Sequence, residues 1–208
     1  MMNKYACVTV GFLLLALWHA SDAAESATPA DDAAEKLVTQ VCSSCHGAGG
    51  NSTSPTFPKL AAQQQAYVVA QIKAFRNKTR GEQEAHDYML GMVTLIDDAT
   101  AEALGRYFAK QRPPPPVVAG DAALVANGKK LFEQGVPDRS IAACATCHGP
   151  NAQGNGIFPR LAGQHAEYVL RQLTVIQSHL RESPVMHGII KDLKPDEMKA
   201  VAAFVQSK

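Results

Sequence analysis

The sequence predicts an all-α protein built from two tandem copies of one small domain, joined by a proline-rich linker. Two observations lead to this prediction. A cysteine-containing segment that begins at residue 42 recurs at residue 144, and further matching segments follow each copy. Apolar residues recur at helical spacing in both halves, and no run of alternating apolar and polar residues demands a strand. At 208 residues, the chain is long enough for two small domains.

The duplication can be followed residue by residue. Two segments of the first half recur in the second half. Cys42-Ser43-Ser44-Cys45-His46-Gly47 recurs as Cys144-Ala145-Thr146-Cys147-His148-Gly149, and Phe57-Pro58-Lys59-Leu60-Ala61 recurs as Phe158-Pro159-Arg160-Leu161-Ala162. Gln63 and Tyr67-Val68 then match Gln164 and Tyr168-Val169 without a gap. Because self-similarity of this kind marks a repeated structural unit, the two halves are two copies of one domain.

Capping residues indicate where the helices begin. Asp32 with Glu35 resembles a capping box and predicts a short helix through Leu37 and Val41, directly before the first cysteine motif. Proline and acidic residues favour the first turn of a helix. The signals in the second half are Asp121, before a helix around Leu124 to Phe132, and Pro195-Asp196-Glu197 at the start of the last helix.

The linker is predicted from four consecutive prolines, Pro113 to Pro116, which follow Arg112. Such a run cannot continue a helix and favours an extended polyproline conformation. We therefore place the first domain at residues 24–112, the linker at 113–118 and the second domain at 119–208.

The first residues resemble a secretory signal peptide. A charged start with Lys4 precedes an apolar run from Val8 to Trp18 and a small-residue site near Ala23. The run is about half of the ~20 residues that a membrane-spanning helix needs, which argues against an uncleaved anchor. We predict a signal peptide at residues 1–23, a mature protein outside the cytoplasm, and no integral membrane segment after cleavage.

The charge balance gives no reason to propose a strongly anionic partner. The formal net charge is +1, so nothing in the composition favours nucleic acid or an anionic membrane surface. We expect no nucleic-acid partner.

The two Cys-x-x-Cys-His motifs carry the chemistry. Their spacing places Cys42 and Cys45 one helical turn apart, where both thiols can form thioether bonds to the vinyl groups of one haem. The adjacent His46 can then bind the iron as an axial ligand. Cys144, Cys147 and His148 repeat the arrangement, so the sequence predicts two covalently bound haems c.

Three other uses of these cysteines are less consistent with the sequence. Zinc ribbons place their cysteine pairs much closer together and need no following histidine. A thioredoxin-like site requires a βαβ setting, which the pattern lacks. Four cysteines remain after Cys7 leaves with the signal peptide, and an even count suits disulfides, but disulfides leave the repeated histidine unexplained.

A methionine is the expected sixth ligand in each domain, because a thioether raises the reduction potential relative to a second imidazole. In the second domain Met186 is preferred, since Met198 lies within the final helix. Aligning the closing helices of the two halves without a gap places Met89 on Met186. Met89 is therefore preferred in the first domain, and Met92 stays open as an alternative. The rival histidine ligands are His86, His179 and His187.

The loop after each motif supplies a hydrogen-bond acceptor for the histidine of that motif. A metal-bound imidazole normally donates its other N–H to a fixed acceptor. We assign this role to the carbonyl groups of Pro58 and Pro159.

On these motifs, together with Leu193-Lys194-Pro195-Asp196-Glu197, the chain resembles the cytochrome c4 family, which consists of periplasmic dihaem proteins with two class I cytochrome c domains. The resemblance covers nearly the whole mature chain. It implies that His46 with Met89 and His148 with Met186 bind the two irons. The second domain also has extra residues within Glu133 to Ala143, to which the sequence assigns no role.

The resemblance implies a periplasmic electron carrier rather than an enzyme. Its partners would be a donor such as a quinol-oxidising complex and a terminal oxidase or reductase. A second interpretation is the dihaem cytochrome subunit of a flavocytochrome c sulfide dehydrogenase, with a flavoprotein dehydrogenase as partner. A dihaem peroxidase or a haem-based gas sensor would require an open iron, and the methionine candidate in each domain argues against both.

Overall fold

The computed structural model describes residues 28–113, 115–117 and 121–208. The predicted signal peptide lies outside these residues. Within them the secondary structure consists of helices, with isolated β-bridges and no strand, which confirms the all-α prediction. No helix in the described ranges combines the length and apolar character needed to cross a membrane.

The first domain contains three longer helices and two short ones. They are α1 (Pro29–Leu37), α2 (Ser43–His46), α3 (Gln65–Arg76), α4 (Gly91–Val93) and α5 (Asp98–Ala109). A π-helical turn, Val38–Cys42, joins α1 to α2, and a second one, Ala85–Leu90, precedes α4. The cysteine motif therefore continues directly from the end of α1.

The predicted capping residues of α1 are wrong, and the helix begins earlier than they indicate. The capping residue is Thr28, whose backbone and side chain exchange hydrogen bonds with Asp31, rather than Asp32 with Glu35. Pro29 occupies the first helical position, where a proline costs nothing because its missing N–H would have no intrahelical partner. This proline fixes the earlier of two overlapping patterns as the helix start.

The second domain repeats the arrangement. Its helices are α6 (Ala122–Gln134), α7 (Ala145–His148), α8 (Ala166–Gln177), α9 (Pro184–Ile190) and α10 (Pro195–Gln206). The predicted caps are confirmed in this half. Asp121 accepts a hydrogen bond from Ala123 N at 2.8 Å, and Pro195 lies in the first turn of α10.

Each domain has its own apolar core, built where its first and last long helices pack together. Val38, Leu104 and Phe108 are buried in the first core, and Phe132 and Phe204 in the second. These clusters contain no residue of the other domain. The two halves therefore meet the main requirement for separate domains.

Glycine permits a close crossing of α6 and α10. A Cβ atom at Gly128 of α6 would lie 1.9 Å from the carbonyl oxygen of Ala200 on α10. In the first domain the equivalent crossing of α1 and α5 is spanned by an ion pair, with Arg106 Nη2 2.7 Å from Asp31 Oδ1.

Part of the predicted linker is described. Val117 donates a backbone hydrogen bond to the carbonyl of Gln206 at the end of α10, at 3.4 Å. The boundaries of the two domains stay a prediction.

Candidate haem sites

The two cysteine motifs lie on equivalent short helices. Cys45 and His46 belong to α2, and Cys147 and His148 belong to α7. Each helix ends at a glycine with positive φ, +75° at Gly47. A Cβ atom there would lie 2.5 Å from the carbonyl oxygen of Asn51, so only glycine allows the chain to turn this sharply after the histidine.

None of the four cysteines of the motifs is paired in a disulfide. Burial raises the pKa of Cys42, and it raises the pKa of Cys144 to about 11. Either group, as a thiol, is therefore protonated near neutral pH. Because catalytic Cys-x-x-Cys pairs depend on a lowered thiol pKa, this environment disfavours the thioredoxin-like interpretation.

The two histidines are arranged as metal ligands. His46 and His148 are 6 % and 4 % exposed. The Nδ1 atom of His46 lies 2.8 Å from the carbonyl oxygen of Pro58, and that of His148 lies 3.0 Å from the carbonyl oxygen of Pro159. The predicted role of both prolines as hydrogen-bond acceptors is confirmed. With Nδ1 donating, each ring presents the lone pair of Nε2.

Burial also keeps these rings neutral. Desolvation lowers the pKa of His46 and of His148, against the opposing effect of the proline carbonyl. A neutral imidazole is the form that binds iron. The Nε2 atom of His148 is buried without a hydrogen-bond partner, an arrangement that is unfavourable unless a ligand occupies it. This atom fits the iron of a haem.

An aromatic ring packs at a similar angle against each histidine. Phe57 meets His46 edge-on at 6.2 Å between ring centroids, and Phe158 meets His148 at 6.4 Å. Together with the proline carbonyl, this contact fixes the plane of each imidazole.

The methionine candidates separate clearly by environment. Met89 and Cys42 pack against the same core cluster, and Met186 and Cys144 pack against the equivalent cluster of the second domain. Met92 is 58 % exposed. The remaining methionine of the second domain, Met198, is buried within α10, as its position in the final helix predicts. The environments favour Met89 and Met186.

The rival histidines have other surroundings. His86 is exposed. The ring of His187 stacks on His179 with 3.6 Å between centroids, and its Nδ1 lies 3.2 Å from the carbonyl oxygen of Ile176. Neither arrangement resembles the buried, singly anchored rings of His46 and His148.

The donor set fits haem better than a bare metal ion. No group of three or more His, Cys, Asp or Glu side chains in the described ranges could hold a metal ion. A haem brings four nitrogen ligands of its own and requires only two axial ligands from the protein. One histidine and one methionine per domain meet that requirement.

The sequence did not reveal how the two domains meet. The side chain of Gln164 accepts a hydrogen bond from Lys59 N and donates one to Lys59 O, both at 2.9 Å. Gln63 makes the same two contacts with the backbone of Arg160, at 2.7 and 3.0 Å. Each domain thus offers the same glutamine to the same backbone position of the other domain.

A buried polar cluster between the domains is also built from equivalent residues of both. The amide oxygen of Gln71 accepts hydrogen bonds from Arg80 at 3.1 Å and from Arg181 at 2.8 Å, and Gln172 also accepts from both arginines. Within the part of the chain that the structure describes, the carboxylate of Glu82 is the only one that accompanies the two guanidinium groups, and it pairs with Arg80. The signal available in the sequence was the constant spacing of 101 residues between the two glutamines and between the two arginines.

Comparison with known proteins places both domains in one family. The family model for cytochrome c matches residues 32–110 and 125–208. Cytochrome c-552 from Acidithiobacillus ferridurans is 39% identical over 94% of this chain and 84% of its own length. Cytochrome c4 from Stutzerimonas stutzeri is 36% identical over 80% of this chain and 83% of its own length. The thiosulfate dehydrogenase electron acceptor of Thiomonas intermedia is 32% identical over 88% of this chain and 85% of its own length.

A solved structure agrees with these relatives. The structure of cytochrome c4 from Acidithiobacillus ferrooxidans superposes with a TM-score of 0.75 and 39% sequence identity, covering 80% of this chain and 98% of that one. The likeness therefore extends over both domains and includes their arrangement as a pair. The chain belongs to the cytochrome c family, in its dihaem cytochrome c4 group, whose members carry electrons on two covalently attached haems c and are not enzymes.

Proposed function

We propose that this protein is a periplasmic carrier that relays electrons from a respiratory donor, such as a quinol-oxidising complex, to a terminal oxidase or reductase. The observation that carries the proposal is that each domain has a buried histidine anchored on a proline carbonyl, and that Met89 or Met186 packs against the same core cluster as the first cysteine of its motif. Each domain therefore offers a complete pair of axial ligands. An iron with both axial positions filled exchanges electrons but has no site for a substrate.

The proposed roles follow from the geometry. His46 and Met89 bind the iron of the first domain, and His148 and Met186 bind that of the second. The thioether ligand favours a high potential. When bound, each haem iron stores one electron by alternating between the ferric and ferrous states. The protein fixes each imidazole plane through a proline carbonyl and a packed phenylalanine ring.

The axial ligands can be tested by three matched methionine substitutions. A thioether bound to ferric haem gives a weak charge-transfer band at the red end of the spectrum. Met89→Ala and Met186→Ala should each remove about half of this band, because each affects one of two haems. Met92→Ala is the control, since its exposed side chain makes no such bond. Loss of the band in the control, with retention in Met89→Ala, would transfer the ligand role to Met92.

Whether the sixth coordination position of each iron is filled also distinguishes a carrier from an enzyme. The unmodified protein should bind carbon monoxide poorly at both haems, and each ligand variant should bind it at one. Rapid binding of carbon monoxide by the unmodified protein would instead favour a peroxidase or a sensor.

The proposed compartment rests on the signal peptide at residues 1–23 and on the relatives. The mature chain should begin near Ala24 and appear in the periplasmic fraction. A mass that retains Met1, in the membrane fraction, would contradict this.

A second candidate function is supported by the similarity to the thiosulfate dehydrogenase electron acceptor. In that function the chain receives electrons from a dehydrogenase rather than from a quinol-oxidising complex. The two candidates differ in the donor that reduces the haems. Reduction by quinol with membranes, but not by thiosulfate with its dehydrogenase, favours the first candidate. The reverse pattern, or copurification with a flavoprotein, favours a dehydrogenase partner.

A further inference from the structure

An apolar groove lies open on the surface of the first domain. It runs between α1 and the segment that precedes α5, with a volume of about 330 Å³. Leu37, Val41, Met92 and Leu95 contribute to its lining. Leu95 is 94 % exposed, which is unusual for a leucine in a well-packed domain. Neighbouring exposed apolar side chains of this kind mark interaction surfaces.

The second domain covers the equivalent surface with its own chain. In the gap-free alignment of the closing helices, Leu95 corresponds to Asp192 and Ile96 to Leu193. The extra residues of the second domain form a tight loop there, closed by an antiparallel bridge between Val136 and Ile141. Ile141 is buried in the same core cluster as Leu193. The loop thus has the role that the sequence could not assign.

A basic residue fastens this loop. Arg139 donates a hydrogen bond to the carbonyl oxygen of Asp192 at 2.9 Å and forms an ion pair with Glu197. The covered surface therefore shows which chemistry suits this position in the fold. The covering element is a turn that inserts one apolar side chain and places a cation beside an acidic group and a backbone carbonyl.

The open groove of the first domain also has an acidic group near the start of its closing helix, although at Asp97 and not at the position aligned with Glu197. Its one charged lining residue is Asp97, which is exposed. The Asp97 carboxylate accepts a hydrogen bond from Thr100 N at 2.7 Å, and hydrogen bonds from Thr100 lower its pKa, so it carries a negative charge at neutral pH. An apolar floor with one fixed anion is complementary to an apolar turn that carries a lysine or arginine.

The groove also lies close to the candidate haem site in the sequence. Val41 directly precedes the attachment residue Cys42, and Met92 follows Met89 by one helical turn. A protein bound here would contact the domain that carries Cys42 and not the domain that carries Cys144.

We propose that this groove is the docking surface for a redox-partner protein that inserts an apolar turn flanked by a basic side chain, so that partner electrons enter or leave through the first domain. The proposal rests on the proposed carrier function and adds to it the entry point and the chemistry of the partner. The covering loop makes the second domain unable to accept the same contact.

The test compares two oxidants of the ferrous protein. A lysine-rich mitochondrial cytochrome c is the protein probe, and hexacyanoferrate(III) is the small probe that needs no docking. In each reaction one electron passes from a ferrous haem of this chain to the ferric iron of the probe. Stopped-flow spectroscopy at low ionic strength gives both second-order rate constants.

Leu95→Lys is the informative variant, because it removes apolar surface and adds a charge that repels a basic partner. Ile157→Lys is the matched control, since Ile157 is also an exposed apolar residue, at 67 %, but lies outside the groove. Leu95→Lys should slow the protein probe roughly tenfold, the effect that lost burial of one leucine implies. It should not slow hexacyanoferrate(III). Leu95→Met, which keeps an apolar side chain, should react with the protein probe at the rate of the unmodified protein. Ile157→Lys should change that rate less than about twofold.

Each alternative outcome is distinguishable. Equal rates for Leu95→Lys and Ile157→Lys would overturn the docking proposal. So would an unmodified protein that reduces hexacyanoferrate(III) but not the protein probe, although the carrier function would then stand. A dimer in sedimentation experiments that Leu95→Lys abolishes would make a second copy of this chain the occupant, and would also overturn the proposal. A holoprotein that accepts no electrons from ascorbate would refute the carrier function itself.

Discussion

Replacing Gln164 with alanine should weaken the contact between the two domains without disturbing either haem site. The Gln164 side chain makes two hydrogen bonds to the backbone of Lys59 in the other domain and one to His165 N in its own. Gln63 makes the equivalent three bonds, to the backbone of Arg160 and to Gln64 N. The structure therefore supplies two substitutions that should have the same effect.

The size of the effect follows from the lost bonds. Removing one partner of a buried hydrogen bond costs about 1–3 kcal/mol when the other group is left unpaired, and two backbone groups of Lys59 lose their partner here. Gln164→Ala should accordingly reduce the free energy of unfolding by about 2–4 kcal/mol. For a chain that unfolds as one unit, this corresponds to a melting temperature lowered by roughly 5–15 °C.

Differential scanning calorimetry of the holoprotein measures this directly. Gln63→Ala and Gln164→Ala should agree within about 0.5 kcal/mol, and the double variant should split one transition into two, because the domains then unfold separately. Gln83→Ala is the control, since Gln83 is exposed and bonds only to Asp87 of its own domain. The reasoning is refuted if Gln164→Ala destabilises no more than the control, or if the charge-transfer band changes.

Three further predictions concern packing, pH and haem content. Gly128→Ala should destabilise the protein by about 1–3 kcal/mol in urea unfolding, because the new Cβ meets Ala200 O. Gly188→Ala, in a helix with open space, should stabilise it by up to ~1 kcal/mol, and equal effects would contradict the crossing. Hydrogen bonds from Arg106 and Thr28 hold the pKa of Asp31 below its usual range. Its stabilisation is therefore present above the unfolded value of roughly 3.9 and is lost as the pH falls. Melting curves of Asp31→Asn should differ from wild type at pH 7 and draw progressively closer as the pH falls below about 4, and a gap independent of pH would contradict the role of the charge. Mass spectrometry of acid-extracted protein should show two retained haems. One haem, or free thiols at Cys144 and Cys147, would contradict the duplicated arrangement.

Residues whose role depends on local chemistry could be predicted from the sequence. The attachment cysteines, the two histidines and their proline acceptors follow from spacing along a short stretch of chain, because the haem, the imidazole and the next loop are neighbours in sequence. The start of α1 is an exception, because the predicted capping box lies later in the chain than the observed one. Asp32 with Glu35 and Thr28 with Asp31 have the same three-residue spacing, and only the position of Pro29 distinguishes them.

Residues whose role depends on how the domains meet could not be predicted in this way. Gln71, Arg80 and their counterparts repeat in both halves, but a duplicated chain also repeats its core and its exposed surface. Repetition alone therefore does not say which polar residues become buried. The loop closed by Val136 and Ile141 presented the same difficulty, since its function depends on a surface formed by α10 and the segment before it.

The reciprocal contact has a consequence for how the molecule behaves on dilution. The same patch faces itself across the interface, as in a homodimer with a two-fold axis, so the contact is self-complementary. Two separate copies of such a domain would part at low concentration. Here the short tether of prolines makes their encounter intramolecular, with an effective concentration on the order of millimolar. The two redox centres therefore stay paired however dilute the protein becomes, and the interface needs only modest affinity to keep them so.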